Sequence, residues 1–299
     1  MSYRVLFKQV RYFNEAVGVY GVFYLLASLP LNAASNIGGF LGRSVGPRLK
    51  VHKTALRNLM RVMPELSLQQ RDIILQNMWD NLGRTAAEFP HIGKLKGDTY
   101  RNLVEIEGEE YFYQALERVQ SGQATIFFSG HFANWEICPK TSYEWGCPLS
   151  LMYRRANNPW VEKLIQRIRS QYQRTAIPKS GKGLRQLVEI VKQKEAVGIL
   201  IDQKANEGIA IPLLGCPAKT APAIATLALK YGCVLQPIQI IRLGNAPRFK
   251  IRIKPPLQIH KTANIESDTI TILTHINDHI GQWIIEHPEQ WFWVHKRWG

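Results

Sequence analysis

Short apolar runs alternate with amphipathic helical stretches from about residue 103 onward, and this alternation most constrains what the chain can fold into. The runs predicted as strands are 103–106, 124–128, 149–153, 196–201 and 234–241, and the stretches predicted as helices are 111–119, 135–143, 159–172, 184–194 and 220–231. Strands that alternate with helices of such lengths are typical of α/β domains. We therefore predict an α/β fold with a mixed, largely parallel central sheet flanked by helices, in which residues 249–253 form an edge or half-buried strand.

A longer helix is predicted before the first of these strands. Ser67 is followed three residues later by Gln70, which is the pattern of a helix-capping box, and apolar residues then recur at helical spacing to about Phe89. Pro90 is predicted to end this helix, because proline cannot donate the backbone hydrogen bond that a helix interior requires.

The composition indicates a large packed core and a cationic surface. Of the 299 residues, 45% are hydrophobic and 8 are tryptophan, which excludes disordered, collagen-like and small disulfide-stabilised proteins. The formal net charge of +15 favours an anionic partner, for which a nucleic acid, an anionic lipid surface, and an acidic protein or phosphorylated substrate are all candidates.

The N-terminal region contains the one membrane-like stretch. Residues 16–42 carry no charge, but Pro30 interrupts the apolar part and leaves residues 16–29 as its longest uninterrupted piece. A helix that crosses a bilayer needs about 20 apolar residues, so the shorter piece favours an interfacial or re-entrant membrane-associating helix. A tilted transmembrane helix and a buried core helix remain open. A cleaved signal peptide is disfavoured, because Glu15 lies in the preceding region and no clean cleavage site follows.

A cationic cluster follows the apolar stretch, with no acidic residue before Glu65. By the positive-inside tendency, we expect this cluster and the folded domain to face the cytoplasm. The predicted organisation is a membrane-associating segment, residues 1–42, followed by a single α/β domain, residues 43–299. The cluster consists of Arg43, Arg48, Lys50, Lys53, Arg57 and Arg61.

The segment from Thr125 to Glu136 carries the most informative chemistry. An apolar run ends at Gly130, His131 follows directly, and Glu136 lies five positions later. On a regular helix five positions separate two side chains by about 140°, so a direct pair requires His131 in a turn before the helix. A histidine bound to a carboxylate has its tautomer fixed and its basicity raised, which suits a general base. A purely structural histidine is the competing interpretation, since this spacing also arises by chance.

Other patterns are weaker. His275 and His279 are four apart on a predicted helix, but no third metal ligand is placed nearby. Ser129 lacks the surrounding glycines of a nucleophile elbow, and residues 179–183 resemble a phosphate loop only in composition, so a basic turn is the better interpretation. The aromatic run 291–298 is predicted to combine core closure with interfacial contacts.

Taken in order along the chain, four blocks resemble the bacterial lipid A biosynthesis acyltransferase family, of the His-x4-Asp/Glu type that transfers lauroyl and myristoyl chains. The resemblance runs from about residue 16 to the C-terminus. The blocks are Gly130–Glu136, Tyr153-Arg154 with Asn158-Pro159, Asp202-Gln203, and the ending Glu289–Trp298.

Carried over to the matching positions, the resemblance implies that His131 is the general base and Glu136 its charge-relay or orienting partner. Arg169 would bind a phosphate or phosphopantetheine group or stabilise the oxyanion, because a guanidinium fork suits such oxygens. Asp202 would hold a loop or a cation in place rather than touch the acyl group.

Two further positions in the matched blocks, Asn134 and Arg154, are candidates for substrate binding or transition-state contacts. The chain departs from the family pattern at two places. Ala133 stands where glycine is usual, and Arg155 stands where proline is common after Tyr153-Arg154. Both departures affect local backbone geometry and remove no ionisable group.

The reaction that the resemblance implies is transfer of a fatty acyl chain from acyl carrier protein to a hydroxyl of a Kdo-bearing lipid A precursor, with no cofactor, metal or covalent acyl-enzyme. The implied partners are acyl carrier protein, the anionic lipid A precursor and the inner membrane surface, and the oligomeric state stays open. A different glycolipid or a lysophospholipid could be the acceptor. A non-catalytic nucleic-acid-binding protein is the remote alternative, since the cations are spread along the chain and no nucleic-acid motif is recognisable.

Overall fold

A seven-stranded sheet forms the centre of the computed structural model, which describes residues 3–299. Its spatial order is β1-β9-β8-β2-β5-β3-β4, and every neighbouring pair is parallel except β8 with β9. The strands are β1 Val104–Glu107, β2 Thr125–Ser129, β3 Ser150–Tyr153, β4 Ala176–Pro178, β5 Ala196–Leu200, β8 Val234–Arg242 and β9 Phe249–Ile253. The predicted α/β class with a mixed, largely parallel sheet is confirmed.

Helices flank this sheet and a separate hairpin lies beside it. The hairpin consists of β6 Ile209–Leu213 and β7 Cys216–Thr220, which pair antiparallel. Short 3-10 turns cover Gly46–Arg48 and Pro288–Gln290. The helices are α1 Tyr3–Ser28, α2 Leu31–Val45, α3 His52–Val62, α4 Leu68–Ile92, α5 Gly97–Arg101, α6 Glu109–Gln120, α7 Ile137–Glu144, α8 Pro159–Arg169, α9 Gly181–Lys192, α10 Ala223–Tyr231 and α11 Ile265–Glu286.

The differences from the predicted elements have local causes. Strand β9 is half-buried, which confirms one of the two predicted alternatives. The other alternative, an edge strand, is wrong because β9 lies between β1 and β8. The hairpin β6–β7 was not predicted, because Pro212 and Pro217 in its two strands interrupt an ordinary strand pattern. Its turn uses Leu214 and Gly215, both with positive φ.

Helix α4 begins as predicted and ends later than predicted. The Ser67 hydroxyl accepts from the Gln70 amide, and the Gln70 side chain accepts from the Ser67 amide, which confirms the capping box. The helix continues through Pro90 to Ile92. A tertiary contact holds this last turn, since the ring of His91 hydrogen-bonds the carbonyl of Leu26 on α1 at 3.0 Å.

The N-terminal region forms two helices, α1 and α2, which are separated at Pro30. Helix α2 packs closely on α4, where Gly38 and Gly42 face Gly83 and a methyl group at Gly38 or Gly83 would overlap the opposite backbone. Among residues 3–299, no helix combines the length and the apolar character that crossing a membrane requires.

Candidate active site

His131 lies in the turn that follows β2, directly beside Asp202 in the segment that follows β5. Because β2 and β5 are parallel neighbours, their carboxyl ends meet at one edge of the sheet, and Asp202 comes two residues after β5 ends. The His131 ring Nδ1 lies 2.7 Å from Asp202 Oδ1, and the His131 backbone N–H donates to Oδ2 at 2.7 Å. A carboxylate only accepts, so Nδ1 carries the proton and Nε2 is left as the basic nitrogen.

Asp202 is a buried carboxylate with every oxygen engaged. Its side chain is fully enclosed, and Oδ2 also accepts from the indole N–H of Trp291 at 2.8 Å. Burial raises the pKa of the Asp202 carboxyl, but the His131 ring and the hydrogen bonds from His131 outweigh burial and hold that pKa well below its ordinary value. Asp202 is therefore ionised throughout the neutral pH range.

The free edge of the His131 ring borders a cavity of about 260 Å³. Nε2 of His131 lies 3.4 Å from the side-chain nitrogen of Gln203, and the rings of Trp135 and Phe292 lie against the imidazole. Arg154 also lines this cavity and is exposed at its rim. The basic nitrogen of His131 is thus next to a space that a substrate hydroxyl can enter.

The predicted pairing of His131 with Glu136 is corrected by these contacts. The Glu136 carboxylate is buried and hydrogen-bonds both Nε and Nη2 of Arg169, with Oε2 of Glu136 3.1 Å from Nε. It also accepts from the hydroxyl of Tyr172 at 2.9 Å. The reason is positional: the neighbouring strand β5 brings Asp202 to His131, while Glu136 at the start of α7 turns toward the end of α8.

The pKa shifts of this second cluster follow from its burial and pairing. Burial raises the pKa of Glu136, but the charge and hydrogen bonds of Arg169, with smaller contributions from Tyr172 and His131, together outweigh burial, so the net pKa lies below its ordinary value. Burial lowers the pKa of Arg169, and the Glu136 carboxylate more than reverses this shift. Both groups are therefore charged, as a buried ion pair.

Arg169 lies where two cavities meet. Besides the cavity beside His131, it lines a smaller one of about 70 Å³ that runs along the buried face of β2, β3 and β5. The side chains around the smaller cavity are mostly apolar, including Phe127, Leu149, Leu151 and Ile199. An apolar recess thus opens next to a polar chamber that carries a guanidinium and an imidazole.

The turn after His131 has a strained and heavily bonded backbone. Ala133 adopts a φ of 44°, in the left-handed region that favours glycine. Its N–H donates to the carbonyl of Gln290 at 2.9 Å, and its carbonyl accepts from Thr85 Oγ1 at 2.9 Å and from Asn81 at 3.3 Å. These contacts hold Ala133 in a backbone conformation that favours glycine.

Asn134 does not line the cavity. Its side chain is fully buried and donates to Glu88 Oε2 at 2.8 Å, while its amide oxygen accepts from the Glu136 N–H at 3.3 Å. Glu88 in turn binds Arg242 through both carboxylate oxygens, deep between α4 and β8. The predicted substrate contact of Asn134 is thus replaced by a contact that holds the turn in place.

Most residues of the weaker sequence patterns pack in the core or cap a helix. His279 packs against Phe128 and Trp283, and within residues 3–299 no cluster of three metal-binding side chains is present. In the basic turn 179–183, the Ser180 hydroxyl caps α9 by accepting from the Gly183 amide at 3.2 Å. Of the aromatic run, Trp291, Trp293 and Trp298 are buried in the core, and Phe292 borders the cavity beside His131.

Sequence reasoning overlooked three residues of this site. Trp291 and Gln203 lay in blocks already singled out, but nothing in their spacing connected them to His131. Tyr172 gave no signal, because a lone tyrosine after a helix is common.

The chain is similar to known proteins over nearly its whole length. The sequence profile described as bacterial lipid A biosynthesis acyltransferase matches residues 3–299. The lipid A biosynthesis palmitoleoyltransferase of Escherichia coli (strain K12) is 24% identical over 297 residues, covering 97% of this chain and 92% of that protein. The lauroyltransferase of the same organism is 23% identical over 292 residues, covering 96% and 92%, and its myristoyltransferase is 22% identical over 293 residues, covering 97% and 88%. With nearly the whole chain matched, the protein belongs to the bacterial lipid A biosynthesis acyltransferase family.

Proposed function

We propose that the protein transfers a fatty acyl chain from an acyl carrier protein thioester to a hydroxyl of a Kdo-bearing lipid A precursor, with His131 as the general base. The observation that carries this proposal is the hydrogen bond from His131 Nδ1 to the buried Asp202 carboxylate, which makes Nε2 the basic nitrogen of the neutral ring, beside the cavity. Asp202, rather than Glu136, then orients the base.

The chemistry proceeds through one tetrahedral intermediate. Nε2 of His131 takes the proton of the acceptor hydroxyl as that oxygen attacks the thioester carbonyl carbon, and the carbonyl oxygen becomes an oxyanion. The C–S bond then breaks and the carbonyl re-forms as an ester. The thiolate of the carrier protein, the leaving group, takes the proton from Nε2. A positioned base is typically worth about 10²–10⁴-fold, so positioning and oxyanion stabilisation supply the rest.

Arg169 is suited to bind an anionic group or the developing oxyanion. Glu136 holds its guanidinium through Nε and Nη2, which leaves Nη1 available at the junction of the two cavities. Glu136 thus has the role of orienting Arg169. Arg154, exposed at the cavity rim, is proposed to contact a phosphate or carboxylate of the incoming substrate.

The apolar recess is proposed to receive the start of the acyl chain. Gly198 on β5 borders it, and a side chain there would press against Leu151. Burial of each methylene contributes about 0.8 kcal/mol, so an apolar recess beside the reacting carbonyl stabilises the first methylenes of the acyl chain.

Association with the cytoplasmic face of the inner membrane is proposed from the N-terminal helices. We define the apolar N-terminal surface as the exposed apolar side chains of α1 and α2, which include Leu25 and Phe40. Cations of the predicted cluster follow it in the chain, and one of them, Arg43, is paired with Asp80. An apolar surface flanked by cations suits an anionic lipid interface.

The test is an acylation assay with purified protein, acyl carrier protein thioester and a Kdo-bearing lipid A precursor, followed by mass spectrometry. We expect product with the unaltered protein, and losses of about 100-fold or more in His131→Ala and Asp202→Asn. His275→Ala, at an exposed histidine on α11, is the control and should retain activity. Near-normal turnover by His131→Ala would refute the mechanism.

Alternative acceptors are distinguished in the same assay. A second glycolipid and a lysophospholipid replace the lipid A precursor in parallel reactions. Faster acylation of either would move the proposal to that acceptor while leaving the role of His131 intact.

A further inference from the structure

A C-terminal strap, residues 291–298, crosses the turn that carries His131. Phe132 and Trp291 form an antiparallel backbone bridge, and the Phe292 N–H donates to the His131 carbonyl at 3.0 Å. The strap therefore holds the backbone of the turn at two successive residues, His131 and Phe132.

The strap also reaches Asp202, the partner of His131. Trp291, itself fully buried, donates its indole N–H to Asp202 Oδ2 at 2.8 Å. Oδ2 already accepts from the His131 backbone, and Oδ1 accepts from the ring. Because the carboxylate is closed off from water, it cannot replace a lost donor with solvent, and its rotation is set by these three N–H groups.

We infer that Trp291 is a positioning residue for the general base, acting through Asp202. Its indole N–H fixes Oδ2 so that Oδ1 points at Nδ1 of His131, which in turn aims Nε2 into the cavity. This inference rests on the proposed role of His131. Trp291 does not line the cavity of about 260 Å³ beside His131, and its indole N–H contacts the site through the Asp202 carboxylate.

Several charged or titratable groups face Asp202, and the indole N–H of Trp291 donates to the carboxylate without carrying a charge. The His131 ring and His295 on the strap lie nearest, and Arg297 and Lys179 act on the carboxylate from further away. Without the indole N–H, less of the carboxylate charge is offset, which favours the protonated form of the His131 ring. The active, unprotonated form then appears only at higher pH.

The experiment compares Trp291→Phe with Trp293→Phe in the acylation assay. Trp293 is a matched control: it is equally buried, lies 4.7 Å from Trp291 between ring centroids, and donates its indole N–H to the Pro288 carbonyl at 2.7 Å. We expect Trp291→Phe to lower kcat roughly ten-fold or more with little change in KM, and to move the acidic limb of the kcat/KM profile to higher pH. Trp293→Phe should stay within about three-fold and keep the profile of the unaltered protein.

Equal kcat and superimposable pH profiles for the two variants would overturn the inference. If Trp291→Phe does not fold, replacement of the Trp291 indole by benzothiophene removes the N–H and keeps the ring shape, and the same readouts apply. His131→Ala separates the two levels of the argument. An active His131→Ala refutes the proposed base, whereas an inactive His131→Ala with an unaffected Trp291 variant refutes only the role of Trp291.

Discussion

At the scale of single residues, the site contains two carboxylates with different partners. Asp202 accepts from His131, and Glu136 accepts from Arg169 and Tyr172. The His-x4-Glu spacing therefore marks two neighbouring functions and not one pair. The imidazole of His131 and the guanidinium of Arg169 are thus each held by a carboxylate of their own.

The buried ion pair of Glu136 with Arg169 predicts a large loss of stability on removing one partner. Glu136→Gln leaves the Arg169 charge buried without its counter-charge, and such changes cost about 3–5 kcal/mol in the free energy of unfolding. Denaturant titration measures this difference. Glu105→Gln, which breaks the exposed pair of Glu105 with Arg248, is the control and should leave stability nearly unchanged. Equal effects of both substitutions would contradict the assignment of a buried pair.

His295 predicts a pH dependence of stability with a defined sign. Burial lowers the pKa of His295 to about 4 from an ordinary value of 6.5, so between these values the unfolded chain binds more protons than the folded protein. Stability is therefore fully present above pH 6.5 and falls by roughly 3 kcal/mol as the pH drops to 4. Burial lowers the pKa of His91 and His279 as well, which adds to the same slope.

Urea unfolding at a series of pH values checks this slope. In His295→Gln the share due to His295 should disappear, while that of the other two histidines remains. Asp202 and Glu136 have lowered pKa values, so their stabilisation is lost only at more acidic pH, below the ordinary carboxyl range. An unchanged slope in the variant would show that His295 is not buried in its neutral form.

At the scale of elements, the close packing of α2 on α4 rests on glycine. A methyl group at Gly83 would overlap the carbonyl of Gly38 and press on Gly42. We expect Gly83→Ala to cost about 1–3 kcal/mol or more, because two backbones must separate. Gly21→Ala on α1, where a methyl group meets nothing within 4 Å, is the control and should gain up to about 1 kcal/mol from helix propensity.

Thermal unfolding of these two glycine variants gives the comparison directly. A lower midpoint for Gly83→Ala together with an unchanged or higher midpoint for Gly21→Ala is the expected result. If Gly83→Ala were as stable as the unaltered protein, the two helices could not be in backbone contact.

At the scale of the whole molecule, the apolar N-terminal surface predicts where lipid binds. Leu25 and Phe40 are 64% and 62% exposed, and inserting either side chain into lipid contributes about 1.5–3 kcal/mol. We expect Leu25→Asp and Phe40→Asp each to lower binding to phosphatidylglycerol-containing vesicles roughly ten-fold or more in a flotation assay. Ile265→Asp, at a 63% exposed position on α11, is the matched control and should bind normally. Equal binding by all three variants would place the lipid contact elsewhere.

Much of the fold was predictable because its signals are local. Periodicity of apolar residues distinguishes strands from helices within a window of a few residues. Pro30 separates two helices because proline restricts the backbone at its own position, whatever the tertiary structure. The hairpin β6–β7 and the continuation of α4 past Pro90 were not predictable in this way. Both have contacts with distant residues: Asn277 on α11 donates to the carbonyls of Ile211 and Pro212, and His91 contacts Leu26.

The sequence by itself determined the α/β class and the place of His131 in a turn after a strand, since each depends on residues close together in the chain. It also determined membership of the acyltransferase family, since the match runs over nearly the whole chain. Only the tertiary structure decided which carboxylate meets His131. Asp202 is 71 residues away, and it arrives there because β2 and β5 are neighbours in the sheet, an order that local spacing does not encode. The same strand order left Glu136 to Arg169 and brought Trp291, from the end of the chain, onto Asp202.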